Sequence, residues 1–450
     1  MEQMQIGLDR PEIKNFDYKF MIVGVYIFYS SASFCQLNQY TIVQNVLEPY
    51  YGIDSSKIHW TQLVFMINLL IFVYYAIKFV QHSGVRYASL FCVGVTCLAA
   101  LMNLFCIPYV PKEYQFDFIL LTQFVYGVAH VFVIIIPAKV VAVWYAAEKQ
   151  NMACAYAICG NQLGLFMGAV FPMLFLDENN TNEEIKSGLF HMFISNFFFC
   201  VLAGLTVVFF YMSKPLHPPS YQQHEVRKHI KSSQTEAFCE IIVIKDFICL
   251  ILLYGITCGM CNVFGIFQNM IFLNYFPGSL MSLLTITGLS YIFGGVVANC
   301  ALGYQLDKKL QYKYYTFLIF GFLFLSYGTM AFFLEMRWYF LSCLMMMIFG
   351  CLSACTVNIS IQYIIEVTYP AAEIIPVAVL QVVISVVTIA FQIIFNKLLS
   401  EKKFSTVHWL TIATFCLMTF GTYFLSSNLK RMLAKPKPES IPVPDELENS

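Results

Sequence analysis

Charged side chains are scarce in this 450-residue chain: 12% of its residues are Asp, Glu, Lys or Arg, while 59% are hydrophobic. A mean hydropathy of +0.68 excludes a soluble globular domain and indicates that lipid surrounds most of the chain. The formal net charge of zero gives no reason to expect a nucleic-acid partner. The first 19 residues lack the pattern of a cleavable signal, so we expect the first apolar run to remain in the protein.

Two CxxC motifs in series, the usual signature of a zinc site, are also missing, although the chain contains 16 cysteines. Most of these cysteines lie within apolar runs, so they are interpreted as small membrane-helix residues rather than disulfide or metal-binding cysteines. The sequence contains no nucleophile–base pair, phosphate loop or cluster of metal ligands. We therefore expect no enzyme activity, no metal site and no cofactor.

What the chain does contain is a series of apolar runs, each long enough to cross a bilayer, which takes about 20 residues. The sequence predicts twelve membrane spans and an all-α polytopic fold. Numbered in chain order, the predicted spans are residues 20–47, 58–79, 85–108, 115–138, 148–176, 188–212, 243–275, 280–303, 314–334, 338–364, 373–396 and 405–427.

The distribution of Lys and Arg predicts the orientation of these spans. Twelve spans place both termini on one side, and the loops of that side hold most of the basic residues. Cytoplasmic loops carry this excess, so we expect both termini in the cytoplasm and the protein in the plasma membrane. The sequon at Asn179 then lies in an outside loop and is a predicted glycosylation site.

One basic, Pro- and Ser-rich segment divides the spans six and six. The predicted organisation is therefore a cytoplasmic N-terminus (1–19), a six-helix half (20–212), a cytoplasmic linker (213–242), a second half (243–429) and a cytoplasmic tail (430–450). The linker histidines have irregular spacing, which favours a solvated segment over a metal site.

Similar landmarks recur in the two halves. Gly52 and Gly278 lie 226 residues apart, as do Gln81 and Asp307, and Glu148 and Glu373 lie 225 apart. Parallel six-helix repeats with a cavity between them are typical of the major facilitator fold. We therefore predict that fold, with twelve transmembrane helices in two six-helix halves.

Span 5 contains CAYAICGNQLGLFMGAVFP, in which Gly160, Gly164 and Gly168 are four residues apart. Small residues at this spacing form one face of a helix and allow a close approach to a neighbouring helix. Gln162 points away from this glycine ridge, and an amide facing lipid is unfavourable. We predict that Gln162 reaches a central cavity and that Asn161, nearer the ridge, is structural.

Other polar residues at mid-span depth predict the rest of a binding site. Gln36 and Asn262 are equivalent in the two repeats, because they too lie 226 residues apart. For any single residue, a hydrogen bond between helices is an alternative to a place in the cavity. The predicted substrate-binding residues are Gln36, Gln39, Tyr40, Gln162, Asn262, Gln268, Gln381 and Ser385.

Charged residues are missing from the middle of spans 1, 2, 5, 7, 8 and 11. Proton-coupled carriers usually need a titratable group at that depth, for which Glu366 and His130 are the nearest candidates. The pattern therefore favours facilitated or potential-driven transport over proton coupling.

Three stretches carry a resemblance to a known family: FCQLNQYTIVQNVLEPYYG, VWYAAEKQNMACAYAICGNQLG and IIEVTYPAAE. They resemble the feline leukaemia virus subgroup C receptor family of major facilitator transporters, and the likeness runs through nearly all twelve spans. The resemblance implies a membrane carrier for choline and ethanolamine or for haem. Of its motifs, GNQLG and EVTYP are the most specific.

The resemblance also implies roles for individual residues. Gln162 matches the glutamine of the family motif, near aromatic rings that hold a quaternary ammonium by cation–π attraction. Leu37 replaces a family Trp and Asn262 a family Tyr, while the family's span 11 Gln aligns with Ser385. A cage rebuilt from Tyr40, Phe34, Phe264 or Phe267 is one possibility.

A gate on the cytoplasmic side is also implied. Gln81 stands where the family carries an Asp after span 2, and Asp307 keeps the second copy. The predicted gating residues are Gln81, Arg86, Glu148, Asp307, Glu366 and Glu373.

The alternatives are haem as the cargo, with His130 and His191 as available ligands, and a receptor or sensor that keeps the fold without transport. The expected partners are a small-molecule substrate and the lipid bilayer, and we expect a monomer.

Overall fold

The computed structural model describes residues 18–177, 179–215, 234–426 and 429–433, and within these ranges it is helical without β-strands. Eleven helices in this part of the chain are long and apolar enough to cross a membrane. Ser55–Tyr109, with 55 residues, is long enough for two crossings and breaks at Gly84, where φ is 83°. It therefore contains spans 2 and 3, which confirms the predicted architecture.

The remaining spans are single helices or short series of helices. Span 1 consists of Tyr18–Asn38, a 3₁₀ turn Thr41–Val43 and Gln44–Tyr51, and span 8 of Leu280–Ile292, a π-helical segment Phe293–Ala298 and Asn299–Lys309. Spans 4 to 7 are Lys112–Trp144, Gln150–Phe175, Asn182–Phe210 and Lys245–Tyr275; spans 9 to 12 are Tyr312–Glu335, Tyr339–Thr368, Ile374–Ser400 and Phe404–Gly421, the last extended by Thr422–Phe424.

Two spans differ from the continuous helices that hydropathy predicts. Span 1 leaves the α-helix at Gln39 and Tyr40, and span 8 widens to a π-helix over Phe293–Ala298. Such irregular backbone is tolerated at membrane depth where it is buried in protein or lines a cavity. Asn38 and Tyr291, which precede the two irregular segments, line the central cavity described below.

The backbone supports the internal repeat. Gly52 and Gly278, which lie 226 residues apart, both have left-handed φ angles of 64° and 76°. Gly84 and Leu310 have the same separation, and both also have a positive φ, of 83° and 52°. Positive φ angles thus recur at equivalent positions of spans 1–6, the N-half, and spans 7–12, the C-half.

The predicted linker is described only in part, because residues 216–233 lie outside the described ranges. Its last nine residues form a helix, Gln234–Ile242, where the sequence predicted a solvated segment. Residues 1–17 and 434–450 also lie outside the described ranges, so the predicted domain boundaries stay predictions. The end of the bundle at which span 1 begins and span 12 ends is called the terminal side below, and the opposite end the far side.

Candidate functional site

A cavity of about 210 Å³ lies between the two halves and is lined by both. Its lining contains no Asp, Glu, Lys or Arg, and it includes one histidine, His130. The polar lining residues are Asn38, Gln62, His130, Asn161, Gln162, Asn262, Gln268, Ser290, Tyr291, Ser353, Gln381 and Ser385.

Gln162 reaches this cavity and is 8% exposed. Its aliphatic part packs on Gly295 in the π-helical segment of span 8, where an added Cβ would lie 2.2 Å from Gln162 Cβ. The Gln162 amide has no hydrogen-bond partner among the described residues. It is therefore available to a solute or to water.

The glycine ridge explains the orientation of Gln162. A Cβ at Gly160, Gly164 or Gly168 would lie within 2.6 Å of atoms of span 1. The carbonyl of Gly160 also accepts a hydrogen bond from Ser31 Oγ at 2.9 Å. With this face pressed against span 1, the opposite face of span 5 turns toward span 8 and the cavity.

Two further amides have unused hydrogen-bonding capacity at the cavity. Asn161 Oδ1 and Gln268 Nε2 are buried without a hydrogen-bond partner in the described part of the chain. Asn161 therefore lines the cavity, although the sequence suggested a structural role. Buried polar atoms normally find partners, so these two atoms favour a polar occupant.

Aromatic rings supply much of the remaining wall. Phe34, Phe65, Phe264, Tyr291 and Phe349 line the cavity, as does Leu37. Of the four residues suggested for a cage, Phe34 and Phe264 are at the cavity. Phe267 is not among its lining residues: it packs on His59, with ring centroids 4.5 Å apart, and Tyr40 is likewise absent from the lining.

Three predicted binding residues lie instead inside the N-half. Gln39 Nε2 donates to Gln36 Oε1 at 2.7 Å, and Asn196 Nδ2 donates to Gln39 Oε1 at 2.6 Å. The Tyr40 hydroxyl accepts a long hydrogen bond from Asn103 Nδ2, at 3.4 Å. These hydrogen bonds join span 1 to spans 3 and 6 away from the cavity lining, while Gln162, Asn262, Gln268, Gln381 and Ser385 line the cavity.

On the far side, contacts between the halves close the cavity. His59 Nδ1 of span 2 lies 3.3 Å from Asn396 Oδ1 of span 11, and Gln392 Nε2 donates to the His59 carbonyl at 3.2 Å. Asn269 of span 7 donates to the Ile42 carbonyl at 2.8 Å, which the break in span 1 leaves free.

On the terminal side, Asp307 closes the opposite end. Its carboxylate accepts from the backbone N–H groups of Asn151 and Met152 at 3.0 and 3.1 Å. These groups belong to the first turn of span 5, where a helix has unpaired donors and a positive dipole end. Tyr312 adds a second contact between the halves, donating to Asn151 Oδ1 at 2.8 Å. Contacts between the halves thus lie at both ends of the cavity.

The other predicted gating residues take different places. Glu366 is buried 4.0 Å from Arg431, and Glu373 is buried within electrostatic range of Lys139. Glu148 is exposed near Asp307, and Arg86 is exposed. Gln81, equivalent to Asp307, is half-buried.

Sequence reasoning missed Gln62 and Tyr291, which bond with Asn38 at the cavity. Asn38, Gln62 and Tyr291 form one connected group, in which Gln62 Nε2 donates to Asn38 Oδ1 at 3.0 Å and Asn38 Nδ2 to the Tyr291 hydroxyl at 3.3 Å. Gln62 is an amide within an apolar run, the signal that identified Gln162. Tyr291 has no such signal, because a Tyr in an apolar span is common.

Comparison with known proteins identifies the family. The family model of the Major Facilitator Superfamily matches residues 25–394. The chain belongs to the Major Facilitator Superfamily. Among solved structures, it is similar to a proton:xylose symporter, with a TM-score of 0.72 at 11% identity, over 94% of this chain and 99% of that one. A fucose:proton symporter of E. coli gives a TM-score of 0.63 at 9% identity, covering 91% and 98%.

Curated relatives confirm the resemblance predicted from the GNQLG and EVTYP segments. The choline/ethanolamine transporter flvcr2a of Danio rerio is 26% identical, over 91% of this chain and 87% of that protein. The choline/ethanolamine transporter FLVCR1 of Felis catus is 24% identical, over 99% and 80%. This chain is a divergent member of that group within a family of transporters.

Proposed function

We propose that this protein is a facilitative transporter for solutes of the choline and ethanolamine class and works by alternating access. The observation that carries the proposal is the cavity, which lies between the halves and has contacts between them at both ends. Breaking the contacts of one end while keeping those of the other exposes such a site to each side in turn.

The size and lining of the cavity support a small amino alcohol as the cargo. Its volume of about 210 Å³ is below the roughly 300–1,000 Å³ typical of pockets for drug-sized ligands, which disfavours haem. Aromatic rings attract an ammonium group, and the free amides of Asn161, Gln162 and Gln268 suit a hydroxyl. His191 lies on the exposed surface of span 6, bonded to Ser187 rather than directed at the cavity.

The lining also supports a facilitative mode. His130 is the titratable imidazole among the residues that face the cavity, and its Nδ1 is engaged with Ser33 Oγ at 3.2 Å. With no carboxylate or ammonium at the site, an entering cation meets no opposite charge and displaces no proton from an acid. Gradient or membrane potential then drives the flux.

Uptake into proteoliposomes tests the proposal and its cargo together. Radiolabelled choline, ethanolamine and haem are compared side by side, and we expect saturable flux for the first two. Gln162→Ala should abolish this flux, because it removes the free amide from the cavity wall. Gln311→Ala, at an exposed loop position, is the matched control and should transport normally.

Absence of saturable flux for all three solutes would overturn the proposal and favour the receptor or sensor alternative. Unchanged transport by Gln162→Ala would remove that residue from the site. Both variants should elute as the parent does on size exclusion, where the expected species is a monomer.

The proposed orientation places both termini in the cytoplasm and the protein in the plasma membrane. Asn179 is exposed in the loop between spans 5 and 6, on the far side. If that side is extracellular, Asn179→Gln should remove a glycosidase-sensitive mass without changing uptake. A parent protein insensitive to glycosidase, with its far side closed to external protease, would contradict this orientation.

A further inference from the structure

A buried arginine follows the last membrane span. Arg431 is 3% exposed and belongs to the short helix Lys430–Leu433, whereas its neighbour Lys430 is exposed. A guanidinium stays charged under all ordinary conditions, so burying it is unfavourable unless its partners are in place. Residues 429–433 are called the C-terminal strap below.

The partners of Arg431 lie in different halves of the molecule. Its Nη2 donates to Oε1 of Gln150, the first residue of the span 5 helix in the N-half. Its Nη1 lies 4.0 Å from Oε1 of Glu366, near the end of span 10 in the C-half. One side chain therefore bridges the two halves on the terminal side.

The strap is continuous with the contacts that close this side. Gln150 directly precedes Asn151 and Met152, which Asp307 holds from the C-half. Tyr312 donates to Asn151 and stacks on Tyr363, with ring centroids 5.2 Å apart. The Tyr363 hydroxyl donates to the Ser426 carbonyl, where the chain leaves span 12 toward the strap.

We propose that Arg431 is a gating residue, and that the C-terminal strap is an integral part of the terminal-side gate. The two contacts of Arg431 have different tasks. The strap follows span 12 and moves with the C-half, so the contact with Glu366 persists through the cycle and positions the guanidinium. The bond to Gln150 crosses between the halves and breaks when the terminal side opens.

This inference rests on the proposed alternating-access function, but its test reads the gate without any cargo. Spin labels at Lys149→Cys and Lys308→Cys, both exposed at the terminal ends of spans 5 and 8, report the separation of the halves. The background chain carries Ser in place of exposed Cys239 and of the half-buried cysteines. Pulsed electron–electron double resonance, recorded in lipid nanodiscs, gives the distribution of distances between the two labels.

We expect Arg431→Ala to raise the ratio of long to short distances between the labels about tenfold, because the variant loses a hydrogen bond to a charged group. Arg431→Lys keeps the charge with a different donor geometry and should give a smaller shift. Lys430→Ala is the matched control, since it removes one exposed positive charge from the same helix, and it should leave the distribution unchanged.

A double-variant cycle isolates the bond between the halves. Gln150→Ala should open the gate to a similar extent, and adding Arg431→Ala to it should produce little further opening. An unchanged distribution in Arg431→Ala, or fully additive effects in the double variant, would overturn the proposal. Opening by Lys430→Ala would also overturn it, by indicating a general charge effect.

Size exclusion verifies that each variant is folded. If Arg431→Ala elutes as aggregate, Arg431→Lys and Gln150→Ala provide the same test with smaller changes. Absence of transport in every variant, combined with the expected distance shifts, would reject the proposed cargo and leave the gating role standing.

Discussion

The two halves place their small residues on opposite partners of an equivalent helix pair. In the N-half the glycine ridge lies on span 5 and meets the backbone of span 1; in the C-half Gly255 and Gly259 lie on span 7 and meet Val383 and Val387 of span 11. The repeat therefore determines where these helices cross, and either helix can supply the space. The N-half solution leaves Gln162 free to face the cavity.

The inner helices of the halves also differ in regularity. Span 1 breaks after Asn38, whereas its counterpart, span 7, is one helix over Lys245–Tyr275. The continuous helix supports the broken one, because Asn269 donates to the freed Ile42 carbonyl. In the equivalent spans 2 and 8, the irregular helix is instead the one in the C-half, since span 8 carries the π-helical segment.

Cross-links between the halves should give the largest effect. Cys159 of span 5 and Cys300 of span 8 have Sγ atoms 3.6 Å apart, within reach of oxidative coupling by copper phenanthroline. We expect the resulting disulfide to abolish uptake, because it prevents the terminal side from opening. Reduction with dithiothreitol should restore uptake, and Cys159→Ser should be insensitive to the oxidant.

The equivalent far-side lock pairs His59→Cys with Asn396→Cys in spans 2 and 11, where the parent side chains touch. Oxidation should again stop uptake, this time by holding the far side closed. Full uptake by either cross-linked protein, with coupling verified by mass spectrometry, would contradict alternating access.

The packing comparison predicts the next largest effect. Gly160→Ala would place its Cβ 2.6 Å from the Ile27 carbonyl, a backbone atom that cannot move away, and should destabilise the protein by about 1–3 kcal/mol. Gly255→Ala would meet Val383 Cγ1 at 2.5 Å. The contacted atom belongs to a side chain of span 11 rather than to the backbone, and Ala favours a helix by about 1 kcal/mol over Gly. This substitution should therefore destabilise the protein less than Gly160→Ala does.

Thermal unfolding in detergent measures this difference. Equal losses of stability in the two halves would show that the identity of the contacted atom does not matter. A larger loss for Gly255→Ala would reverse the comparison.

The smallest effect should come from the two copies of the gate residue. Asp307→Asn weakens the cap on span 5 by about 1 kcal/mol and should increase the open population several-fold, measured with the Lys149 and Lys308 labels. Gln81→Asp, at the equivalent position of the N-half, should change the distribution less. A stronger response at Gln81 would identify the N-half copy as the main gate.

The twelve spans and the repeat were predictable because hydropathy and spacing report them directly. Gln162 was predictable for a related reason: an amide opposite a glycine ridge has few favourable places in a bilayer. Gln36, Gln39 and Tyr40 carry the same polarity at similar depth but bond to one another and to Asn196 and Asn103. Polarity at membrane depth predicts a partner, and it does not distinguish a solute from a neighbouring helix.

The irregular segments were not predictable from composition. Residues 39–43 contain no proline or glycine, and residues 293–298 read as an ordinary apolar run. The contacts that accompany their irregular backbone come from spans 7 and 5, which are distant in sequence. Arg431 was equally hidden, because a basic residue after the last span resembles any cytoplasmic flank. Its burial depends on Gln150 and Glu366, which are distant in sequence.

The charge-free lining of the cavity has an electrical consequence. An empty carrier with such a site moves no charge through the membrane when it reorients, so voltage leaves that step unaffected. A monovalent cation inside the site makes the loaded step electrogenic, and the membrane supplies about 2.3 kcal/mol for each charge crossing 100 mV. A resting cell would then accumulate such a solute with no second ion, and depolarisation alone would release it.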